Sequence, residues 1–458
     1  MKSTRPAGLM RRGGVPLDVA AKVRSAGVVG AGGAGFPTHV KLDAHPEFVI
    51  VNGAECEPLL RVDQLLGAAY AEELLDALES VRAAVGARRA IYGLKDKYHD
   101  TVDALRGVIA RYPDIEIKTL RNTYPAGDEQ VLVYETIGRV VPEGGIPLAV
   151  GAVVLNVETL LNIGLALRDI PVTEKYVTVA GAVRAPATIR FPIGVSVREA
   201  IDDCGGTDLE AYAVIDGGPM MGKTVAPDAP ITKTTKGLLV VPEDHPWVSA
   251  KNRGIERMMR VAKIACCHCM LCTEVCPRYQ LGHNLHPDKL MRLASYNTTA
   301  ERDAAATEAF LCCECGLCEL GCIMDLQPWK LNQELKRRLS ALGIKNPHRN
   351  APQTVRAFRE HKLYPVPKLV RRIAMSRYDG PAPLRGGYDR VPERVVLPLR
   401  QSLGAPSVPC VAAGDLVRKG DPVADIPQGA LGSRLHSSID GRVAEVREDA
   451  VVVESGTK

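Results

Sequence analysis

The chain has 458 residues, 46% of them hydrophobic but only 4% aromatic, and a formal net charge of +5. That length predicts about three domains, with Val, Leu, Ile and Ala filling cores that five Phe and two Trp cannot. The charge is mild and no basic stripe with interleaved aromatics occurs, which argues against nucleic-acid binding as the main role. Thirteen cysteines would suggest disulfides in a secreted chain, but eight fall into two metal-type quartets. With no signal peptide after Met1, a reducing cytoplasm is the expectation. The longest apolar run, Leu148 to Leu167, is broken by Asn156, Glu158 and Asn162, and reads as a strand passing into a helix rather than a membrane span.

Met1 to Gly14 is short and basic and reads as a frayed start, with a docking or encapsulation peptide as the competing reading. Leu17 to Ala26 has helical spacing and stops at Gly27, a C-cap residue. Gly30-Ala31-Gly32-Gly33-Ala34-Gly35-Phe36-Pro37-Thr38 follows, with Lys41 behind it. Glycines there would let backbone N–H groups approach an anion closely, and the lysine adds positive charge. No clear strand precedes this loop, so it is not the usual βαβ dinucleotide fingerprint. Phe48 to Val51 is a strand ending in Asn52-Gly53-Ala54-Glu55-Cys56-Glu57-Pro58. A helix is expected over Val62 to Val85, and strands over Arg89 to Gly93 and Ile115 to Leu120. Tyr124-Pro125-Ala126-Gly127-Asp128-Glu129 opens a further helix, and Val150 to Leu155 is a strand ending in Asn156-Val157-Glu158-Thr159. This is an alternating α/β domain whose polar clusters fall where strands end, the place where such sheets bind ligands.

Tyr176 to Pro242 reads as short strands with one helix from about Ser196 to Asp203, a glycine-rich loop at Gly217 to Gly222, and Cys204 as a small buried apolar residue. Lys251 to Lys263 is a basic helix leading into the strongest signal of the chain. Cys266, Cys269, Cys272 and Cys276 form one C-x2-C-x2-C-x3-C quartet, and Cys312, Cys315, Cys318 and Cys322 form another. Three thiolates on a tight loop can hold three irons of a four-iron, four-sulfur cubane, and in two-cluster ferredoxins the fourth cysteine serves the other cluster. By that logic Cys266, Cys269, Cys272 and Cys322 hold one cluster, and Cys312, Cys315, Cys318 and Cys276 the second. Zinc is the competing reading, but closed zinc sites take four ligands in paired knuckles. Cys267 and Cys313 read as bystanders, with an alternative-ligand role as the other reading. His286 to Glu308 is expected to be a helical spacer. Lys336 to Arg394 is rich in Arg, Lys and Pro and reads as a helix and then a solvated, wrapping connector, or as a docking face for an acidic partner. Val395 to Lys458 returns to short strands with Gly-Asp and Asp-Gly turns.

The order GAGGAGFPTHVK, NGAECEP, YPAGDE, NVET resembles the NADH- and FMN-binding flavoprotein subunit of respiratory complex I. It is similar also to the C subunit of Rnf-type electron-transport complexes and to the corrin reductases of propanediol-utilisation microcompartments. The resemblance implies FMN and NADH as cofactors beside two 4Fe-4S clusters. It implicates Gly30, Gly32, Gly33, Gly35, Phe36 and Lys41 in holding FMN phosphate and NADH, with Asn52 and Glu55 near flavin and Glu57 toward the dinucleotide. Tyr124, Gly127, Asp128, Glu129, Asn156 and Thr159 would complete the pocket. Ala31 stands where complex I relatives carry arginine. The same resemblance makes the second unit a soluble-ligand-binding β-grasp (SLBB) domain, and the C-terminal one a barrel-sandwich hybrid whose tip, Ser438-Ile439-Asp440-Gly441, has no lysine for a prosthetic group.

The expected architecture is thus a multidomain α/β chain: an FMN/NADH domain over residues 1–172, a β-grasp domain over 173–245, an α-helical two-cluster domain over 250–345, a basic linker over 346–394 and the hybrid domain over 395–458. The expected activity runs from NADH to FMN to the first cluster to the second to an acceptor, because a flavin takes two electrons and a cubane one at a time. No acid–base triad is needed. Acidic Glu57, Asp128 and Glu129 predict NADH over NADPH. The acceptor implied by the resemblance is cobalamin, with an electron-accepting protein partner as the other form of it. The location implied is the cytoplasm or a microcompartment lumen. The alternative is the peripheral NADH-oxidising subunit of an Rnf-type ion pump, on the cytoplasmic face of the inner membrane.

Overall fold

The computed structural model describes residues 11–12, 15–16, 18–296 and 304–456. The reading of Met1 to Gly14 as a frayed start or docking peptide falls mostly outside them, as does the middle of the expected spacer helix. Among the described residues no helix is long and apolar enough to cross a membrane.

The first unit is built on four parallel strands in the order Ile115–Leu120, Arg89–Lys95, Phe48–Gly53, Ala152–Asn156. Successive side chains of a strand point to opposite faces. Accordingly Val49 and Val51 pack with helices Val62–Ala69, Ala71–Ala84 and Val157–Leu167 in one core, whereas Ile50 packs with Leu132 and Val133 of helix Glu129–Ile137 on the other face. The single helix expected over Val62 to Val85 is two helices that meet at Tyr70, whose backbone (φ −126°, ψ 36°) is not helical. All four strands end on one edge, so their terminal residues share a crevice.

The second unit is a six-stranded sheet in the order Lys223–Val225, Tyr212–Asp216, Gly237–Pro242, Glu174–Gly181, Ala187–Pro192, Leu384–Gly387. Its helix, Val197–Asp203, starts at a capping box in which Ser196 and Glu199 satisfy each other's backbone N–H. Cys204 is buried in the core, as its apolar setting predicts. The last strand comes from the expected linker, which is therefore not only a connector: Leu384–Gly387 pairs in parallel with Ala187–Pro192. The linker is also pinned where Tyr364–Pro365 pairs with Thr123–Tyr124. Loose connectors leave backbone groups to water, whereas these are satisfied in sheets.

The third unit is built on helices, among them Pro246–Lys251, Ile255–Ala265, Pro287–Tyr296 and Pro328–Ala341. The C-terminal unit has two small sheets, one of Arg394–Pro398, Ala450–Glu454, Gly441–Val446 and Leu416–Val417, the other of Val408–Pro409, Pro422–Asp425 and Leu435–His436. Its Ser438 is no exposed tip: the hydroxyl is buried and donates to the Ile193 carbonyl at 2.5 Å. One continuous hydrophobic core runs from Val49 through Val177 and Phe191 to Val443 and Val453, so the parallel sheet, the six-stranded sheet and the C-terminal sheets are packed as one mass. A buried ammonium fastens the join. Lys233 Nζ donates to the Gly27 carbonyl at 2.7 Å, the Ser433 hydroxyl at 3.1 Å and the Arg434 carbonyl at 2.6 Å. Gly27 has φ +69°, and a Cβ there would lie 2.3 Å from the Arg434 oxygen, so only glycine fits.

Candidate functional site: a glycine cradle and two cysteine chambers

At the carboxyl edge of the parallel sheet, the glycine loop folds back over the Ala152–Asn156 strand. Gly30 N–H donates to the Phe36 carbonyl at 2.9 Å and Gly35 N–H to the Gly30 carbonyl at 3.1 Å, closing the loop on itself. Thr159 anchors it, accepting from Ala31 N–H at 2.9 Å. The amides of Gly32, Gly33 and Ala34 enter none of the described hydrogen bonds and lie exposed. Gly33 has φ +113° with nothing within 4 Å of where a Cβ would stand. Together with the start of helix Val157–Leu167 this makes an open cradle that suits an anion.

Lys41 sits behind the cradle, donating to the Val154 carbonyl at 2.9 Å and to Glu129 at 3.2 Å, with its ammonium 5.8 Å from the Phe36 ring centre. Asn52 Nδ2 donates to the Gly127 carbonyl at 2.8 Å, tying strand end to the tyrosine motif. The structure therefore brings Gly30, Gly32, Gly33, Gly35, Phe36, Lys41, Asn52, Gly127, Glu129, Asn156 and Thr159 to one crevice. The roles of several are not those expected. Asn156 caps its helix by accepting from Glu158 N–H and gives its amide to both Asp63 oxygens at 3.0 Å. Glu55 turns inward, with φ +37°, and accepts from the N–H groups of Asp63 at 3.1 Å and Gln64 at 3.2 Å. Burial, then the Asp63 charge, pushes its carboxyl pKa up, while Lys236, paired with Asp63, opposes this.

Glu57 and Asp128 are corrections. Glu57 does not face the crevice: its carboxylate accepts from Met220 and Met221 N–H, both at 2.8 Å, and so clamps the glycine-rich loop of the six-stranded sheet. A Cβ on Gly218 would come within 2.2 Å of Glu57, which explains a glycine there. Asp128 caps helix Glu129–Ile137 and takes two charge-assisted bonds, 2.7 and 2.8 Å, from Arg278. Both carboxylates are turned to joints between units; of the three acids only Glu129 is exposed at the crevice, beside the Lys41 ammonium. Tyr124 likewise looks away from the nucleotide side. Its hydroxyl donates to the Cys315 carbonyl at 2.6 Å and the ring packs with Met220, Leu317 and Trp247.

The sequence reading missed Arg278 and Lys95. Arg278 sits directly behind the Cys276-Pro277 pair, where only the proline carried a signal. Lys95 ends its strand fully buried, with the Glu55 carbonyl at 3.3 Å; burial pushes its ammonium pKa down to about 8.

The eight cysteines line two chambers in the crossed pairing. One is lined by Cys266, Cys269, Cys272 and Cys322, the other by Cys276, Cys312, Cys315 and Cys318. Both loops bend in the same way, with left-handed residues two and four places after the first cysteine: His268 (φ +54°) and Met270 (φ +65°), then Glu314 (φ +58°) and Gly316 (φ +78°). Three of these are not glycine, a conformation costing roughly 1–2 kcal/mol each, and strain of this kind collects at functional sites. Among the described residues no three His, Cys, Asp or Glu side chains converge tightly enough for a single metal ion. Two quartets of thiols, each drawn from both cysteine loops, suit cubanes rather than paired zinc knuckles. Burial pushes the Cys272 thiol up to about 12 and Cys276 and Cys318 up as well, and a hydrogen bond with Cys313, then burial, raises Cys315. Cys267 lines the first chamber and is exposed; Cys313 lines the second and is half-buried. Through Tyr124 and Arg278 it is the second chamber that abuts the parallel-sheet unit.

Comparison with known families matches this layout piece by piece. Residues 23–165 match the Nuo51 FMN-binding domain, 176–224 the SLBB domain, 265–327 the 4Fe-4S dicluster domain and 388–458 the RnfC barrel sandwich hybrid domain. The cofactor set of the chain is accordingly FMN and 4Fe-4S clusters. The C component of the Na(+)-translocating ferredoxin:NAD(+) oxidoreductase complex of Acetobacterium woodii is 37% identical over 56% of each chain. The cobalamin reductase PduS of Salmonella typhimurium is 41% identical over 96% of this chain and 97% of its own. That of Citrobacter freundii is 42% identical over 95% and 96%. With the four domains in place and similarity running the length of both chains, this protein belongs to the PduS cobalamin reductase family.

Proposed function

We propose that the protein is an NADH-dependent reductase that passes electrons from the glycine-cradle crevice through the two cysteine chambers to cobalamin. The observation carrying this is the end-to-end similarity to two cobalamin reductases, against 56% coverage for the ferredoxin:NAD(+) oxidoreductase component. The Rnf-type reading remains the alternative, and the two differ in whether a membrane partner takes the electrons.

The bound flavin supplies the change from hydride to single electrons that the clusters require. The chain's own residues supply position. The amides of Gly32, Gly33 and Ala34 and the Lys41 ammonium would hold phosphate, and Thr159 fixes the loop that presents them. Asn52 holds the Gly127 turn, so that the crevice floor and the Tyr124 segment move as one body. Tyr124 and the Arg278–Asp128 pair fix the second chamber against that body. Short, rigid separation is what electron hopping needs. The cysteines that would hold iron are Cys266, Cys269, Cys272 and Cys322 in one chamber and Cys276, Cys312, Cys315 and Cys318 in the other. The interior location is proposed as a microcompartment lumen, by kinship with the cobalamin reductases.

The test is anaerobic. Reconstituted protein is mixed with NADH and cob(III)alamin, and the corrin spectra are followed. Reduction that stops when FMN is stripped supports the reading; bleached flavin and clusters with cobalamin untouched moves the assignment to the membrane-pump alternative.

A further inference from the structure

The two chambers differ in what surrounds them. The second is enclosed: Cys276, Cys315 and Cys318 are buried, and Tyr124, Trp247 and Met220 pack against it. The first opens to the surface, with Cys267 and Cys269 exposed. Met270 and Met324 line it and are exposed, and the chain next to the lining residues exposes Leu271, Ile323 at 61% and, two residues before Cys266, Ile264 at 90%, which together make an apolar collar. Scattered exposed apolar residues are ordinary, but five within two residues of the lining of one chamber make a collar of the kind that marks an interaction site.

The collar carries positive charge on two sides. Arg257 and Arg260 are exposed on helix Ile255–Ala265 at the i, i+3 spacing that leads to Ile264 at i+7, opposite the buried Met258 and Ala262. On the other side, helix Val366–Arg372 is held to the mouth by a 3.0 Å bond from Arg372 to Asp325, the residue after Met324, and Arg371 is exposed beside it. That bond pairs the exposed acid beside Met324, while Asp288, which lines the chamber, is buried and paired with Arg292. An apolar centre with a cationic rim is complementary to an acidic protein face with an apolar middle.

We propose that this collar is the docking surface for an acidic, one-electron-accepting protein, which draws electrons from the Cys266–Cys322 chamber. The proposal rests on the electron-transfer reading above and adds to cobalamin a second, protein acceptor at the outer chamber. One electron leaves the reduced cluster and enters the partner's oxidised centre; no bond forms and no proton moves. The basic connector is then part of the docking face, not merely a strap.

Soluble cytochrome b5, a strongly acidic haem protein, serves as the probe, with basic cytochrome c and neutral benzoquinone as controls. The protein is reduced with dithionite and desalted, so the surface is tested whether or not NADH is the donor; failure of NADH to reduce it would strike the proposed function alone. The second-order rate with cytochrome b5 is expected to fall with salt, and to fall roughly tenfold at low ionic strength in Arg257→Glu/Arg260→Glu/Arg371→Glu. Cytochrome c should then gain and benzoquinone stay unchanged. The charge-keeping Arg257→Lys/Arg260→Lys/Arg371→Lys protein should retain the cytochrome b5 rate. An unchanged rate in the charge-reversed protein, equal loss with benzoquinone, or no reaction of wild-type protein with cytochrome b5 overturns the proposal.

Discussion

The Tyr124 hydroxyl reaches across 191 positions of sequence to donate to the Cys315 carbonyl at 2.6 Å. It is 2% exposed, and burial, then the Glu57 charge, pushes its pKa up, so it stays a donor. Tyr124→Phe keeps the ring and deletes the bond, leaving a buried carbonyl unpaired at a cost of about 1–3 kcal/mol. Flavin bleaching by NADH should keep its rate, while the following reduction of the clusters slows; stopped-flow absorbance separates the two phases. Equal rates in both phases would mean that the bond only packs.

Nucleotide choice should lie with Glu129 and not with the other acids. Glu57 and Asp128 are consumed by Met220, Met221 and Arg278. Glu129→Gln should therefore raise kcat/KM for NADPH relative to NADH by several-fold, since removing one charge near an exposed phosphate is worth about 1 kcal/mol. Asp128→Asn should leave the ratio alone and instead lower Tm, because Arg278 loses its partner in a buried setting. Parallel steady-state assays with both nucleotides, beside thermal melts, distinguish the two effects.

The architecture was legible because periodicity and strand-end chemistry are local. Four parallel strands, the helix capped by Ser196, and two cysteine quartets all follow from spacing within some thirty residues. What stayed hidden depends on contacts across hundreds of residues. Glu57 reads as a binding acid beside Asn52 and Glu55 until the loop at Met220 folds onto it. Arg278 reads as one more basic residue until Asp128 is seen opposite. The Leu384–Gly387 strand is too short and glycine-rich to show a period, and it gains its partner only from Ala187–Pro192. The crossed pairing of cysteines was accessible because the spacing is that of two-cluster ferredoxins, in which the fourth cysteine serves the other cluster; which chamber lies inward was not.

Lys233 should impose a pH dependence on stability. Burial with no counter-ion pushes its pKa down to about 7, whereas an unfolded lysine titrates near 10.4. Between those values the unfolded chain binds more protons than the folded one, so this group makes stability rise with pH through that window; below pH 7 the folded state bears the whole penalty. Lys233→Met removes the slope and also strips Gly27, Ser433 and Arg434 of their donor. Denaturant melts from pH 7 to 9 should show a smaller upward trend for the variant than for the parent, on top of a uniform loss of stability. Parallel curves would mean that the ammonium is charged throughout.

The crossed chambers give the sharpest separation of roles. Cys276 lies in the first sequence quartet but lines the chamber of Cys312, Cys315 and Cys318, while Cys322 lies in the second and lines the other. Cys276→Ser should disable the inner site, and Cys322→Ser the outer one. Each should cost about half of the iron, so iron content alone cannot tell them apart. Electron flow can. With Cys322→Ser, NADH-driven reduction should still reach one cluster, seen as a loss of visible absorbance and a single EPR signal, but transfer to an external acceptor should drop by an order of magnitude or more, as expected when a terminal carrier is lost. With Cys276→Ser, the flavin should bleach and the remaining cluster should stay oxidised on the same time scale. The reverse pattern would put the outer chamber next to the flavin and contradict the contact that Tyr124 makes with Cys315.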